Sequence, residues 1–113
     1  MEEKRGARRY QTHAEVRIEG IDKKDIQLKD ISVTGCQVIC PNCEEIVLNK
    51  KYKIEIIPEN KAKIGLFDLV VESKWIHANG NNIGIGFSIV ESPKGKQFQR
   101  YVDYLSLYHS HET

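Results

Sequence analysis

The sequence predicts a mainly β fold, a small closed or sandwich-like arrangement of short antiparallel strands followed by one C-terminal helix. Three observations carry that expectation. Apolar and polar residues alternate with period two through most of the chain, Gly, Asn, Asp and Pro punctuate the alternation at short intervals, and helical periodicity is confined to the C-terminal stretch. The 113 residues suffice for one domain with a core and are too few for two.

The first strand is read at 14–19, where Ala14, Val16 and Ile18 share one face and Glu15, Arg17 and Glu19 the other. Turn residues fill 20–25. Ile26 and Leu28, alternating with Gln27 and Lys29, give a second strand ending at Asp30. Two antiparallel strands of similar length return the chain to its origin, so Asp30 is expected close to Arg9. After a tight connection at 32–35 come a third strand at 36–40 and a fourth at 51–57, ended by Pro58. A long fifth strand runs 66–78, and Asn79-Gly80-Asn81-Asn82 supplies hairpin chemistry because Asn and Gly tolerate positive φ. The sixth strand, 83–90, sets Ile83, Ile85, Phe87 and Ile89 on one face and only Gly84, Gly86 and Ser88 on the other. Something bulky must lie beside so bare a face: Trp75 from the neighbouring strand, a packed helix or a ligand. Ser92-Pro93 then reads as a helix entry, an N-cap followed by proline at the first helical position. Phe98, Tyr101, Val102, Leu105 and Tyr108 repeat at three- and four-residue spacing, a stripe for docking on the β-structure.

Composition narrows the function. An apolar fraction of 40% is ordinary for a soluble domain, and no apolar run approaches the roughly 20 residues of a membrane span. The charged N-terminus is unlike a signal peptide, so a cytoplasmic location is expected. Net charge is +1, which argues against a binder of nucleic-acid polymers driven by bulk positive charge. Locally the balance differs, because Lys4, Arg5, Arg8 and Arg9 fall in one short acid-free run that attracts anions.

Two motifs give that run a meaning. Arg5-x-x-x-Arg9 offers planar guanidinium forks that pair with phosphate oxygens or the acceptor edge of guanine and stack on a base. Asp30-x-Ser32-x-x-Gly35 offers the complement: a carboxylate for guanine's donor edge, a hydroxyl that donates or accepts, and a glycine that lets backbone approach a ligand. A purine nucleotide with phosphates satisfies both.

These residues resemble the PilZ family of bacterial receptors for the second messenger cyclic di-GMP, whose hallmark is R-x-x-x-R followed by [D/N]-x-S-x-x-G. Val71 to Ile76, including Trp75, and then Gly84-Ile85-Gly86-Phe87 are similar to the family's last hairpin. The resemblance covers nearly the whole chain. It implies a six-stranded antiparallel split barrel with a C-terminal helix, divided as a mobile basic segment at 1–12, the barrel at 13–91 and the helix at 92–109. It further implies cyclic di-GMP as ligand, with no other cofactor, held by Arg5, Arg9, Asp30, Ser32 and Gly35. Lys4 and Arg8 are secondary contacts, as is Trp75, which by burial tendency is otherwise a core residue. Ligand capture would order the arginine segment and signal to a protein partner in trans.

A competing reading is a ligand-independent interaction adaptor with the same barrel. A minor alternative is a thiol redox or zinc module. Cys36-x-x-x-Cys40-x-x-Cys43 has the spacing of radical enzymes with an iron-sulfur cluster, but those require most of a much larger (β/α) barrel. Cys40-Pro41-Asn42-Cys43 is similar to a glutaredoxin-type site without that fold's second proline, and zinc on Cys40, Cys43 and His109 or His111 lacks a fourth ligand pair. Otherwise Cys36 is a buried strand thiol and the others are surface-loop cysteines. No nucleophile elbow or dinucleotide fingerprint is present, and no enzymatic activity is expected.

Overall fold

The structure, a computed structural model, describes residues 8–91 and 96–112. Seven antiparallel strands are found among them: β1 (Tyr10–Gln11), β2 (Glu15–Ile18), β3 (Gln27–Ile31), β4 (Gly35–Pro41), β5 (Lys51–Ile57), β6 (Phe67–Asn79) and β7 (Asn82–Glu91). One helix, α1 (Gln97–Glu112), follows. Hydrogen-bonded neighbours run β3–β2–β5–β6–β7–β4, and β4 pairs again with β3, closing a six-stranded barrel. Both β1 and β2 pair with β3. Between them the Thr12 N–H donates to the Lys29 carbonyl at 3.2 Å and the Leu28 N–H to the Ala14 carbonyl at 3.0 Å. They are thus two stretches of one barrel strand, interrupted at 12–14.

Alternation builds the core. Ala14, Val16 and Ile18 are buried, as are Tyr52, Ile54 and Ile56, while the residues between them face outward or are partly covered. Each large aliphatic chain so buried contributes about 1.5–3 kcal/mol. At the tip of the β6–β7 hairpin, Gly80 takes φ 65°, the left-handed turn conformation its sequence promised.

Two expectations change. The barrel wall begins earlier than residue 13, because Tyr10 and Gln11 pair with Ile31 and Asp30; the short stretch carries too little alternation to announce itself. The described helix starts at Gln97 and ends at Glu112, later at both ends than the 92–109 expected. Gly95, a poor helix former, stands between the proline and that start. Ser92 and Pro93 lie outside the described residues.

The helix docks as its stripe requires. Phe98, Tyr101, Val102 and Leu105 are buried, whereas Tyr108 emerges at the rim. Phe67 of β6 lies 5.8 Å from the Phe98 ring and 6.0 Å from the Tyr101 ring. A polar chain crosses this contact: the Tyr101 hydroxyl donates to Glu59 Oε1 at 2.7 Å and meets Thr12 Oγ1 at 2.5 Å, and Thr12 Oγ1 accepts from the Ala14 N–H at 2.9 Å. Burial holds the Tyr101 hydroxyl far above the usual tyrosine range, so it stays a donor. The helix is thereby tied to the strand interruption one residue beyond Gln11, the register partner of Asp30. Tyr101→Phe strips Thr12 and Glu59 of this partner and is expected to destabilise the fold by about 1–3 kcal/mol in urea titrations.

Candidate functional site

Asp30 owes its position to a defect in β3. Leu28 pairs with Val38 and Asp30 with Gln37, so Lys29 is an extra residue against β4, a β-bulge. Strict alternation would point Asp30 inward with Leu28. The bulge resets the count, leaving Leu28 and Ile31 buried and Asp30 on the outer wall with its side chain 13% exposed. There Arg9 Nη1 donates to Asp30 Oδ1 at 2.7 Å across 21 positions. Arg8 is drawn aside, its guanidinium carbon 5.7 Å from the centre of the Tyr10 ring. Lys4 and Arg5 lie outside the described residues.

Ser32 and Gly35 turn out to be structural in their immediate contacts. The Ser32 hydroxyl is buried and accepts from the Thr34 and Gly35 N–H groups, each at 3.2 Å, while the Ser32 N–H donates to the Gly35 carbonyl at 2.8 Å. In this structure the hydroxyl therefore closes the turn. Gly35 has an equally local reason. A Cβ there would sit 2.6 Å from the Phe87 carbonyl oxygen, so glycine is demanded by the approach of β7 rather than by an unusual turn dihedral.

Trp75 corrects the core expectation. Leu69, Val71 and Ser73 of β6 point inward, and continued alternation would send Trp75 after them. Instead the register shifts between Ser73, opposite Phe87, and Trp75, opposite Gly86. Ser73 anchors that bulge: its Oγ donates to the Val47 carbonyl at 2.5 Å and accepts from the Lys50 N–H at 3.2 Å. The indole therefore leaves the core and lies over β7. A Cβ built on Gly86 would overlap the ring, and one on Gly84 would come 3.7 Å from Cζ3, so the two glycines seat it against the wall. Trp75 remains 43% exposed.

Successive pairings align these residues. Asp30 pairs with Gln37, Gln37 with Gly86 and Gly86 with Trp75, a single row across four strands. At about 4.8 Å per strand it spans about 14 Å. Beside it a cavity of about 410 Å³ opens on the outer wall, lined by Lys29, Gln37, Ile39, Trp75, His77 and Gly84 among others. The arrangement combines a carboxylate–guanidinium pair, a flat aromatic surface and amide, imidazole and ammonium groups on one face. It suits a planar, polar, anionic ligand; it holds no nucleophile with an adjacent base.

The cysteines lie elsewhere. Cys40 and Cys43 are buried like Cys36, which corrects the surface-loop expectation for the pair; the chain folds inward after Pro41, with Asn42 at φ 54° and its N–H on the Asn81 carbonyl at 2.8 Å. All three are free thiols. Burial, the largest cause in each case, pushes the Cys36 thiol up to about 12 and raises Cys40 and Cys43, where the Cys40–Cys43 hydrogen bond adds to the rise at Cys40. Such thiols are poor nucleophiles. Among the described residues no cluster of three His, Cys, Asp or Glu is placed to hold a metal, and the side chains of His109 and His111 lie outside those described.

Fold and wall together define a PilZ-type split barrel with its motif turn at one end. Among the solved structures it is similar to is the PilZ domain with c-di-GMP of YcgR from Escherichia coli, at TM-score 0.69, with 97% of each chain covered and 16% sequence identity. That likeness establishes the fold. No family model matches the sequence, and no curated protein does.

Two outcomes are expected from this geometry. Gly35→Ala should lower stability by about 1–3 kcal/mol, read by chemical denaturation, because the obstructing atom is backbone. Stability should also fall above about pH 9, the ordinary pKa from which the thiols are raised. There the unfolded chain ionises its thiols while the fold keeps Cys36 protonated to about 12, so the unfolded state binds fewer protons and the slope with pH is negative. Urea titrations at pH 7 and pH 10 measure it.

Proposed function

We propose that this chain is a non-enzymatic receptor for cyclic di-GMP. The observation that carries the reading is the 2.7 Å pair between Arg9 and Asp30 on the outer wall, between two motifs whose chemistry is complementary to guanine and phosphate. The solved domain of like fold was determined with c-di-GMP, which supports the same ligand here.

In this reading Arg9 exchanges its exposed ion pair for phosphate oxygens or the acceptor edge of a guanine, and Arg5 supplies a second guanidinium. Asp30 accepts from guanine N1 and N2. Ser32 acts through the turn it closes, and Gly35 by letting that turn abut β7. Lys4 and Arg8 strengthen the anion-attracting field, and Trp75 offers its free face to a base. Capture fixes the arginine segment against the barrel, and a protein partner in trans reads the surface so formed.

Isothermal titration calorimetry with cyclic di-GMP, against GTP and cyclic di-AMP, tests the proposal. Selective saturable binding is expected. Arg5→Ala, Arg9→Ala and Asp30→Ala should each weaken it about ten- to a hundredfold, the worth of a charge-assisted hydrogen bond. Absence of binding by folded protein would overturn the receptor reading in favour of an adaptor, and unchanged affinity in all three variants would overturn the assignment of the site.

A further inference from the structure

The β6–β7 hairpin runs past the end of β5, and one edge of it is bare. Backbone pairing shows which groups that edge presents. The Ile89 N–H donates to the Thr34 carbonyl at 2.9 Å and the Asn42 N–H to the Asn81 carbonyl at 2.8 Å, so odd-numbered positions along β7 bond toward β4. Even-numbered ones therefore bond toward β6. Their partners there are Trp75, His77 and Asn79, opposite Gly86, Gly84 and Asn82. Between these, Ile76 and Ala78 turn their N–H and C=O groups the other way. On that side β5 stops pairing at Lys51, opposite Glu72. The 47–50 loop then takes over Ser73, whose N–H donates to the Lys50 carbonyl at 3.0 Å and whose carbonyl accepts from the Asn49 N–H at 2.9 Å. Among the described residues nothing pairs with Ile76 or Ala78 on this side.

Exposed edges are normally blunted by proline, charge, a bulge or a covering element, because their unpaired groups template further strands. None of these guards 75–79. Every residue from Lys74 to Asn79 is exposed, Ile76 among them, and the register with β7 is unbroken from Trp75 to Asn79. Lys74 stands at the bulge before this stretch, its Nζ 3.4 Å from Glu72. The edge is also self-complementary. When two copies lie antiparallel about a two-fold axis through His77, Ile76 of each meets Ala78 of the other. The two free N–H and two free C=O groups of each chain then join in four interchain hydrogen bonds. Trp75 faces the partner's Asn79, and no Lys, Arg, Asp or Glu is opposed within the five-residue overlap.

We infer that the edge of β6 at 75–79 is an interface between two copies of this chain, formed by antiparallel strand pairing. It needs no ligand and stands apart from the receptor reading. The two-fold axis is perpendicular to the shared sheet, so the outer walls of both copies face the same side. Five residues a side bury less than the about 1,200 Å² at which standard interfaces begin, so the dimer is weak and exchanges readily.

Analytical ultracentrifugation of the full chain, without nucleotide and up to about 1 mM, is expected to show a reversible monomer–dimer equilibrium. Ala78→Pro removes an N–H that no neighbouring strand uses, a place where an edge strand tolerates proline. It should weaken association about thirtyfold, two net hydrogen bonds per dimer, with an unchanged circular dichroism spectrum. A second variant reads the register. In the two-fold pairing the His77 Cα atoms of the two copies lie about 4.5 Å apart, within disulfide reach. His77→Cys should therefore form a disulfide-linked dimer under oxidised glutathione, seen on a non-reducing gel, while Asn79→Cys, set opposite Trp75, should not. Should Ala78→Pro fail to fold, this pair of cysteine variants decides alone. A chain that stays monomeric to about 1 mM would overturn the proposal and leave the edge to an extended segment of another protein. Association that survives Ala78→Pro, or that leaves His77→Cys unlinked, would overturn it as well.

Discussion

The candidate site depends on interrupting the two-residue period of a barrel wall. In an uninterrupted strand the side chains that follow a buried residue at even spacing are buried too, so Asp30 would share the face of Leu28 and Trp75 that of Ser73. Either result would be unfavourable. An inward Asp30 would place a carboxylate in a core of Ile, Val and Cys side chains, and an inward Trp75 would overfill a closed barrel. One bulge at Lys29 and another at Lys74 reverse the count on β3 and β6. Because β4 and β7 lie between those strands, both reversals deliver their side chains to one cross-strand row. The bulges cost ladder hydrogen bonds; Ser73 offsets part of that at β6 by bonding the 47–50 loop.

Placement of Arg9 is a second problem, solved by the helix. Two residues of β1 make a meagre strand, and a pair of ladder positions would not hold the chain against fraying. Thr12 supplies the missing anchor, with a hydroxyl bonded both to the backbone at Ala14 and to Tyr101 in α1. Tyr101 in turn packs on Phe67 and donates to Glu59, so β1, the end of β5 and the start of β6 meet on one buried phenol. Arg9 therefore sits just before a strand whose position is set by the core.

Most of the fold was legible because it obeys local rules. Lys51–Ile57 was read to the residue from alternation and a terminal proline, and Phe98, Tyr101, Val102 and Leu105 were read from helical spacing. The nearness of Arg9 to Asp30 followed from hairpin arithmetic. What escaped was non-local. A bulge leaves no mark on composition, so the pattern alone did not show that Trp75 leaves the core its burial tendency favours, although Gly84 and Gly86 did signal a bulky neighbour. Ser32 and Gly35 were recognisable as a motif and as a tight connection, but not that the hydroxyl bonds within the turn or that the glycine is required by Phe87, three strands later in sequence. Cys40 and Cys43 were placed at the surface because Pro41-Asn42 reads as a loop; the fold tucks that loop inward.

Under the proposed receptor reading, the ion pair at the centre of the site has consequences for how a ligand enters. Arg9 and Asp30 hold each other at 2.7 Å, but the arginine side chain is 48% exposed, and a pair in that much water contributes only about 0–1 kcal/mol. Its rupture therefore opposes binding weakly. Its presence does more in the other direction, because the carboxylate fixes the guanidinium near the wall and spares a ligand part of the entropy of ordering a long side chain. Neutralising Asp30 in this way would also keep its charge from repelling phosphate. In that reading the pair is a weak internal substitute for the ligand, one that keeps both partners where a stronger, doubly complementary partner can replace it.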